Sequence, residues 1–153
     1  MIANTSNKDF IEYIYYHNPT SSLKKVLNNL LNKDVMILIR NKFDIYKYLD
    51  KDIKINDSYL IYKNIKFKYL TIHSAKGLES TYVIILNVAN SLLGIPNRLE
   101  NHKLINMLDD KIDNYKYSEE RRIFYVALTR CKEKVFLLIP KSNPSYFIKE
   151  LKK

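Results

Sequence analysis

Two stretches of this chain concentrate side chains suited to phosphate. The first, Thr71-Ile72-His73-Ser74-Ala75-Lys76-Gly77-Leu78-Glu79, gathers hydroxyls, an imidazole, an ammonium and a glycine in one short run. Hydroxyls and backbone amides donate to phosphate oxygens, a lysine adds charge, and a glycine lets the backbone come close. Glu79 accepts hydrogen bonds and suits a sugar hydroxyl. The second stretch runs from Glu119-Glu120-Arg121-Arg122 to Leu128-Thr129-Arg130. Arg122, Val126 and Arg130 recur every fourth residue and so share one face of a helix. A guanidinium fork grips two oxygens at once, and Arg130 is placed to donate to phosphate oxygens as an arginine finger does. Each stretch alone also admits a plain reading. The first is then a polar loop with a structural His73 and a solvated Lys76, and the second an ion-paired helix whose Arg130 answers the negative helix end.

The elements around them predict an α/β domain. Val35-Met36-Ile37-Leu38-Ile39, Tyr82 to Leu86 and Val135 to Ile139 are continuous apolar runs of strand length, the pattern of strands buried on both faces of a parallel sheet. Helices are expected between and around them: Asp9–Tyr16, a second one capped by Ser21 or Ser22 and reaching Leu31, Phe43–Leu49, Glu119–Arg130 behind a Ser118 cap, and a short one starting at Asn143-Pro144-Ser145 and running through Leu151. Residues 59–72 read as short β-rich runs, with alternation at Ile65-Lys66-Phe67-Lys68-Tyr69. Leu92 to Tyr117 is the least regular stretch. Strands separated by helices give a three-layer, mainly parallel arrangement. Thr71 then stands at a strand end, where ligands of open α/β sheets gather.

The net charge of +10 fits an anionic partner, nucleic acid first. Lys, Asn, Ile and Tyr all have A/T-rich codons, so a biased genome explains much of that charge equally well, and the 13 tyrosines with it. Arginine carries more information. The chain has Arg40, Arg98, Arg121, Arg122 and Arg130 among its 26 basic residues, and three of these fall in the second stretch. Cys131 is the single cysteine, which excludes an internal disulfide and a cysteine-built metal site; it reads as a small core residue. Residues 1–10 are polar and show no signal-peptide core. No apolar run approaches the ~20 residues needed to span a bilayer. No membrane partner and a cytoplasmic, nucleoid-associated location are expected.

Taken together, the two stretches resemble motifs V and VI of the UvrD/Rep family of superfamily 1 DNA helicases, and the strand from Met36 to Arg40 resembles the I-L-x-R strand at motif IV. The resemblance covers about residues 33 to 151. It implies a RecA-like fold for residues 33–153, with residues 1–32 a helical segment of the same domain. It also implies roles: Arg130 as the arginine finger, Glu79 as the ribose contact, and Gly77 as the point where backbone approaches the nucleotide. Thr71, His73, Ser74 and Lys76 would lie near single-stranded DNA or couple it to the ATP cleft, with Arg40 and Asn41 as further DNA contacts. Arg121 and Arg122 would tie the helix to the sheet and the domain interface. Ser80 stands where many members have an aromatic, and Cys131 where Ala is usual. Only residues 41 to 70 separate the first two motifs, a layout similar to helicase IV-type members rather than to UvrD with its large insertion.

A P-loop needs G-x-x-x-x-G-K-[ST], and the only two glycines, Gly77 and Gly94, are far apart. The first RecA-like domain, with its Walker motifs, is not in this sequence. ATP and Mg²⁺ are therefore expected in the complete helicase, held mainly by that other domain in cis or in trans, and this chain alone is expected to be inactive. The function implied is the second motor half of a 3′-to-5′ DNA helicase. The alternative is a non-enzymatic nucleic-acid-binding or regulatory module on the same fold.

Overall fold

The computed structural model describes residues 10–90, 94–95 and 118–152. The irregular stretch expected from Leu92 to Tyr117 lies outside them, apart from Gly94 and Ile95.

Seven strands form one sheet. In chain order they are β1 (Ile11–Tyr16), β2 (Val35–Ile39), β3 (Ile53–Asn56), β4 (Tyr59–Tyr62), β5 (Ile65–Thr71), β6 (Ser80–Ile85) and β7 (Cys131–Pro140). Their spatial order is β1-β7-β6-β2-β5-β4-β3. Strands β1, β7, β6, β2 and β5 run parallel, and β5, β4 and β3 form an antiparallel meander at one edge. The apolar run of β2 is buried at every position, because both of its faces are covered.

Alternation along the strands sorts the core into two layers. Ile37, Ile39, Ile84, Phe136 and Leu138 face one side, under helix α1 (Pro19–Asn28) and a 3₁₀ helix, η1 (Lys42–Tyr48). Met36, Leu38, Val83, Ile85 and Leu137 face the other, under a short 3₁₀ helix, η2 (His73–Ala75), and helices α2 (Ser118–Leu128) and α3 (Phe147–Leu151). Leu23 and Leu27 of α1 are fully buried; truncating either to Ala removes about 2–5 kcal/mol.

Several expectations are corrected. Asp9–Tyr16 is not a helix: residues 11–16 are a strand in register with β7, Ile11 opposite Val135 and Tyr16 opposite Pro140. A strand added at this edge satisfies its backbone through a distant partner, which local periodicity does not reveal. Helix α1 begins earlier than the expected serine cap. Asn18 accepts from the Ser21 amide at 3.0 Å, and Pro19 takes the first turn, where its missing N–H costs nothing. The segment expected as a helix at Phe43–Leu49 is a 3₁₀ helix. The hairpin β3–β4 was not anticipated at β3; it lies between η1 and β5 and extends the sheet. Pro144 does not open the last helix. It bridges to Ala89, and the helix starts at Phe147. Among the described residues, no helix is long and apolar enough to cross a membrane.

Candidate nucleotide and nucleic-acid site

The strand register decides where each candidate stands. Thr71 is opposite Ile39, the last residue of β2, whereas Tyr82 is opposite Val35, the first. All three strands are parallel, so residues 72–79 carry the chain from the carboxyl edge of the sheet back to its amino edge. The first candidate stretch is therefore split. Thr71, His73 and Ser74 sit at the carboxyl edge, as expected, while Gly77 and Glu79 reach the opposite one. The whole stretch does not sit at a strand's carboxyl end, because a parallel pair demands a return crossover.

At the carboxyl edge, the Thr71 hydroxyl donates to Ser74 Oγ at 3.0 Å and accepts from the Ser74 amide at 3.2 Å. His73 and Ser74 remain exposed. The crossover then turns sharply. Lys76 has φ −57° and ψ 128°, Gly77 has φ +83°, and the Leu78 amide donates to the Ala75 carbonyl at 2.9 Å. These are the dihedrals of a type II turn, whose third position needs a residue tolerant of positive φ. Gly77 meets that need; a Cβ there would touch nothing within 4 Å. Its openness within this chain leaves room for an approaching group.

Helix α2 runs beside the crossover in the same direction. Glu119 and Glu120 occupy its first turn, where the dipole favours carboxylates. Phe124, Ala127 and Leu128 bury its inner face. At its start, Glu120 is gripped by Arg40 from the end of β2. Arg40 Nε donates to Oε1 at 3.0 Å and Nη2 to Oε2 at 2.7 Å. Arg40 is expected from the sequence as a DNA contact; two of its fork's donors are held instead by this buried carboxylate. Arg121 donates to both oxygens of Glu150 at 2.9 and 2.8 Å and lies over the Phe147 ring, which ties α2 to α3 rather than to the sheet. Arg122 is exposed and pairs with Glu119 at 3.0 Å. Between crossover and helix lies a cleft of about 120 Å³, lined by Ile72, His73, Lys76, Glu119, Arg122 and Val126.

At the amino edge the two stretches meet. The Ser80 amide donates to the Arg130 carbonyl at 3.0 Å. The Arg130 side chain folds onto the same turn: Nε donates to the Val126 carbonyl at 3.1 Å, Nη1 to the Leu78 carbonyl at 3.4 Å and Nη2 to Thr129 Oγ1 at 3.3 Å. The last two are long, weak bonds. Arg130 thus stands half-buried beside the exposed Leu78-Glu79 pair. Next to it, burial pushes the Cys131 thiol up to about 11. Asn41 precedes η1 at the other edge, its carbonyl accepting from the Asp44 amide at 3.0 Å.

Two residues that organise the site were not singled out from sequence. Glu120 had a usable signal: it shares the 120-124-127-128 stripe with three buried apolar residues. Asn87 had none; it follows β6 at φ +53° and fastens η1 through its side chain.

Comparison with known proteins adds a second line. The family model described as the UvrD-like helicase C-terminal domain matches residues 18–142. DNA helicase IV of Escherichia coli is 35% identical over 88 residues, which cover 58% of this chain and 13% of that protein. ATP-dependent DNA helicase Rep of Buchnera aphidicola is 31% identical over 126 residues, covering 76% of this chain and 16% of that protein. ATP-dependent DNA helicase PcrA of Staphylococcus aureus is 35% identical over 92 residues, 54% of this chain and 11% of that protein. The chain thus spans only a small part of the curated relatives it matches. Among solved structures, the C-terminal domain of a possible DNA helicase from Lactobacillus plantarum aligns with a TM-score of 0.53 at 14% identity, over 90% of this chain and 77% of that one. That likeness is one of fold.

Proposed function

This chain belongs to the UvrD-like helicase C-terminal domain family, and from that premise we propose that it is the second motor half of an ATP-driven DNA helicase. The observation that carries the reading is the meeting of Arg130 with the Leu78–Ser80 turn at one edge of the sheet. A guanidinium and a carboxylate on adjoining turns suit the two ends of a nucleotide. Arg130 exchanges its long contacts to Leu78 and Thr129 for γ-phosphate oxygens, where a fork stabilises charge developing in phosphoryl transfer. Glu79 accepts from the ribose hydroxyls, and Gly77 keeps the turn free of a side chain.

The phosphate cradle comes from an N-terminal RecA-like domain, in the same polypeptide or supplied in trans. Mg²⁺ neutralises phosphate charge in such reactions. Among the described residues no group of three His, Cys, Asp or Glu side chains is placed to hold a metal ion. Thr71, His73, Ser74, Lys76 and Asn41 face single-stranded DNA or relay its presence along the crossover. That crossover joins the DNA edge to the nucleotide edge, and α2 runs beside it for ~15 Å. Arg40, Arg121 and Arg122 act as supports: Arg40 through Glu120, Arg121 through Glu150, and Arg122 in the cleft beside Lys76. ATP binding clamps the two halves; hydrolysis releases them and steps the motor 3′-to-5′ along one strand.

The test is Arg130→Ala in the complete two-domain helicase. DNA-stimulated hydrolysis is expected to fall by ~10³-fold or more, while ATP binding is retained. Near-normal hydrolysis would overturn the assignment.

A further inference from the structure

A 3₁₀ helix repeats every three residues, so side chains at i and i+3 stand in columns. Helix η1 has three such columns. Lys42, Ile45 and Tyr48 form the first, with Ile45 and Tyr48 buried and Lys42 exposed at the helix start. The Tyr48 hydroxyl bonds Tyr16 Oη at 2.8 Å and accepts from the Asn87 amide at 2.8 Å. Asp44 and Lys47 form the second, and both hold the Asn87 side chain: Asn87 Nδ2 donates to Asp44 at 2.7 Å, and Lys47 Nζ donates to Asn87 Oδ1 at 3.2 Å. The third column is Phe43 and Tyr46, exposed to 78% and 60%. Two columns clamp the helix, and the third holds two aromatic rings in solvent, ~6 Å apart along the axis.

This arrangement is unusual on two counts. Seven residues is long for a 3₁₀ helix, and large apolar side chains grouped at the surface mark contact sites more than isolated ones do. The rings also adjoin the carboxyl edge already described. A groove of about 370 Å³ runs there, lined by Lys42, Asp57, Ser58, Tyr69, Thr71 and Ser74. Lys42, the neighbour of Phe43, supplies an exposed cation, and Thr71 and Ser74 supply hydroxyls.

We propose that Phe43 and Tyr46 form a base-stacking platform for single-stranded DNA whose backbone follows the Lys42–Thr71–Ser74 groove. The proposal rests on the DNA-motor reading and names a subsite within it. Aromatic faces with an adjacent cationic track bind single strands with little sequence preference, because every base has a π-face. A duplex would not use them, its bases being already stacked. The Lys42 ammonium and the Ser58, Thr71 and Ser74 hydroxyls of the groove, against the one carboxylate of Asp57, favour a nucleic acid over an apolar protein surface.

Fluorescence anisotropy of a labelled oligothymidylate with the full chain at low salt tests it. Phe43→Ala and Tyr46→Ala are each expected to weaken binding by about 5- to 150-fold, the worth of one base–aromatic stack, with unchanged melting temperature. Tyr46→Phe should bind like wild type, and Phe43→Leu should stay weakened. The salt slope should persist in the ring variants and shrink in Lys42→Gln. Wild-type affinity in the double alanine variant overturns the platform and leaves the motor reading standing. The same outcome with loss of self-association assigns the rings to a second copy of the chain and overturns it equally. Failure of the wild-type chain to bind any single strand at low salt overturns the platform and the DNA half of the motor reading together.

Discussion

Arg40 and Glu120, 80 residues apart in sequence, are joined by two parallel hydrogen bonds of 3.0 and 2.7 Å. The pair fastens the start of α2 to the carboxyl end of β2, with the side chains only 11% and 3% exposed. Removing one partner breaks both charge-assisted bonds of a buried pair, which costs about 3–5 kcal/mol. Glu120→Ala and Arg40→Ala should each lower unfolding free energy by that order in urea titrations followed by circular dichroism. Arg40→Lys should recover only part, since an ammonium cannot reproduce the fork. Wild-type stability in Arg40→Ala would show that the pair does not hold α2.

Gly77 offers a contrast, because its constraint is conformational and not steric. At φ +83°, with nothing within 4 Å of an added Cβ, alanine meets strain alone. Gly77→Ala should cost about 1–2 kcal/mol, and Gly77→Asn less, since asparagine tolerates the left-handed region better. Calorimetry on the two variants checks the order. Equal losses would mean that the added side chain meets an obstacle.

Much of the sheet was legible because β2, β6 and β7 are continuous apolar runs, which a sheet covered on both faces requires. Helix α2 was legible from its stripe and first-turn carboxylates, though it ends at Leu128, two residues short of the expected end, and leaves Arg130 in the turn that follows. Strand β1 was not: Ile11, Ile14 and Tyr15 fit a helix as well as a strand, and only the distant Val135–Pro140 segment decides between them. Strand β3 is four residues long, too short for alternation to register. At the site, the two stretches could be read as partners, but not their orientation. That Thr71 and Glu79 stand at opposite edges follows from pairing register, which no local pattern encodes. The engagement of Arg40 by Glu120 was hidden for the same reason.

Asp34 links β2 to β6 and makes stability depend on pH. Its carboxylate accepts from the Thr81 amide at 2.9 Å and the Thr81 hydroxyl at 3.1 Å. The Thr81 amide bond holds the carboxyl below its ordinary value of 3.8. A carboxyl depressed on folding stabilises the fold above its unfolded value, and that contribution is lost as pH falls through the folded one. Asp34→Asn should therefore melt below wild type at neutral pH, and the gap should close as pH drops below about 3.8. A gap independent of pH would remove the carboxylate from the account.

Cys131 tests how tightly α2 closes over β7. The thiol is buried and its Sγ lies 3.7 Å from the Leu128 carbonyl. With its pKa pushed up to about 11 by burial, the thiol stays almost wholly protonated at pH 8, where an ordinary cysteine is partly thiolate. Reaction with a disulfide reagent should be slow in the folded chain and fast in denaturant. Rapid labelling of folded protein at pH 8 would mean that the α2–β7 junction opens readily.

Arg130 and Arg40 should separate in a way that distinguishes function from support. The Arg130 guanidinium is half-buried, and two of its three contacts within the chain are 3.3 and 3.4 Å long. Bonds of that length add little to folding, so Arg130→Ala should leave the isolated chain within about 1 kcal/mol of wild type. The same change should cost the complete helicase ~10³-fold in hydrolysis. Arg40→Ala should do the reverse in kind: a large loss of stability, with activity falling only as the fold is lost. Measuring urea midpoints on the chain and ATPase rates on the complete protein for both variants gives a crossed pattern. If Arg130→Ala instead destabilises the chain as strongly as Arg40→Ala, Arg130 is a structural clasp between α2 and the Leu78–Ser80 turn. Its loss of activity would then say nothing about phosphate.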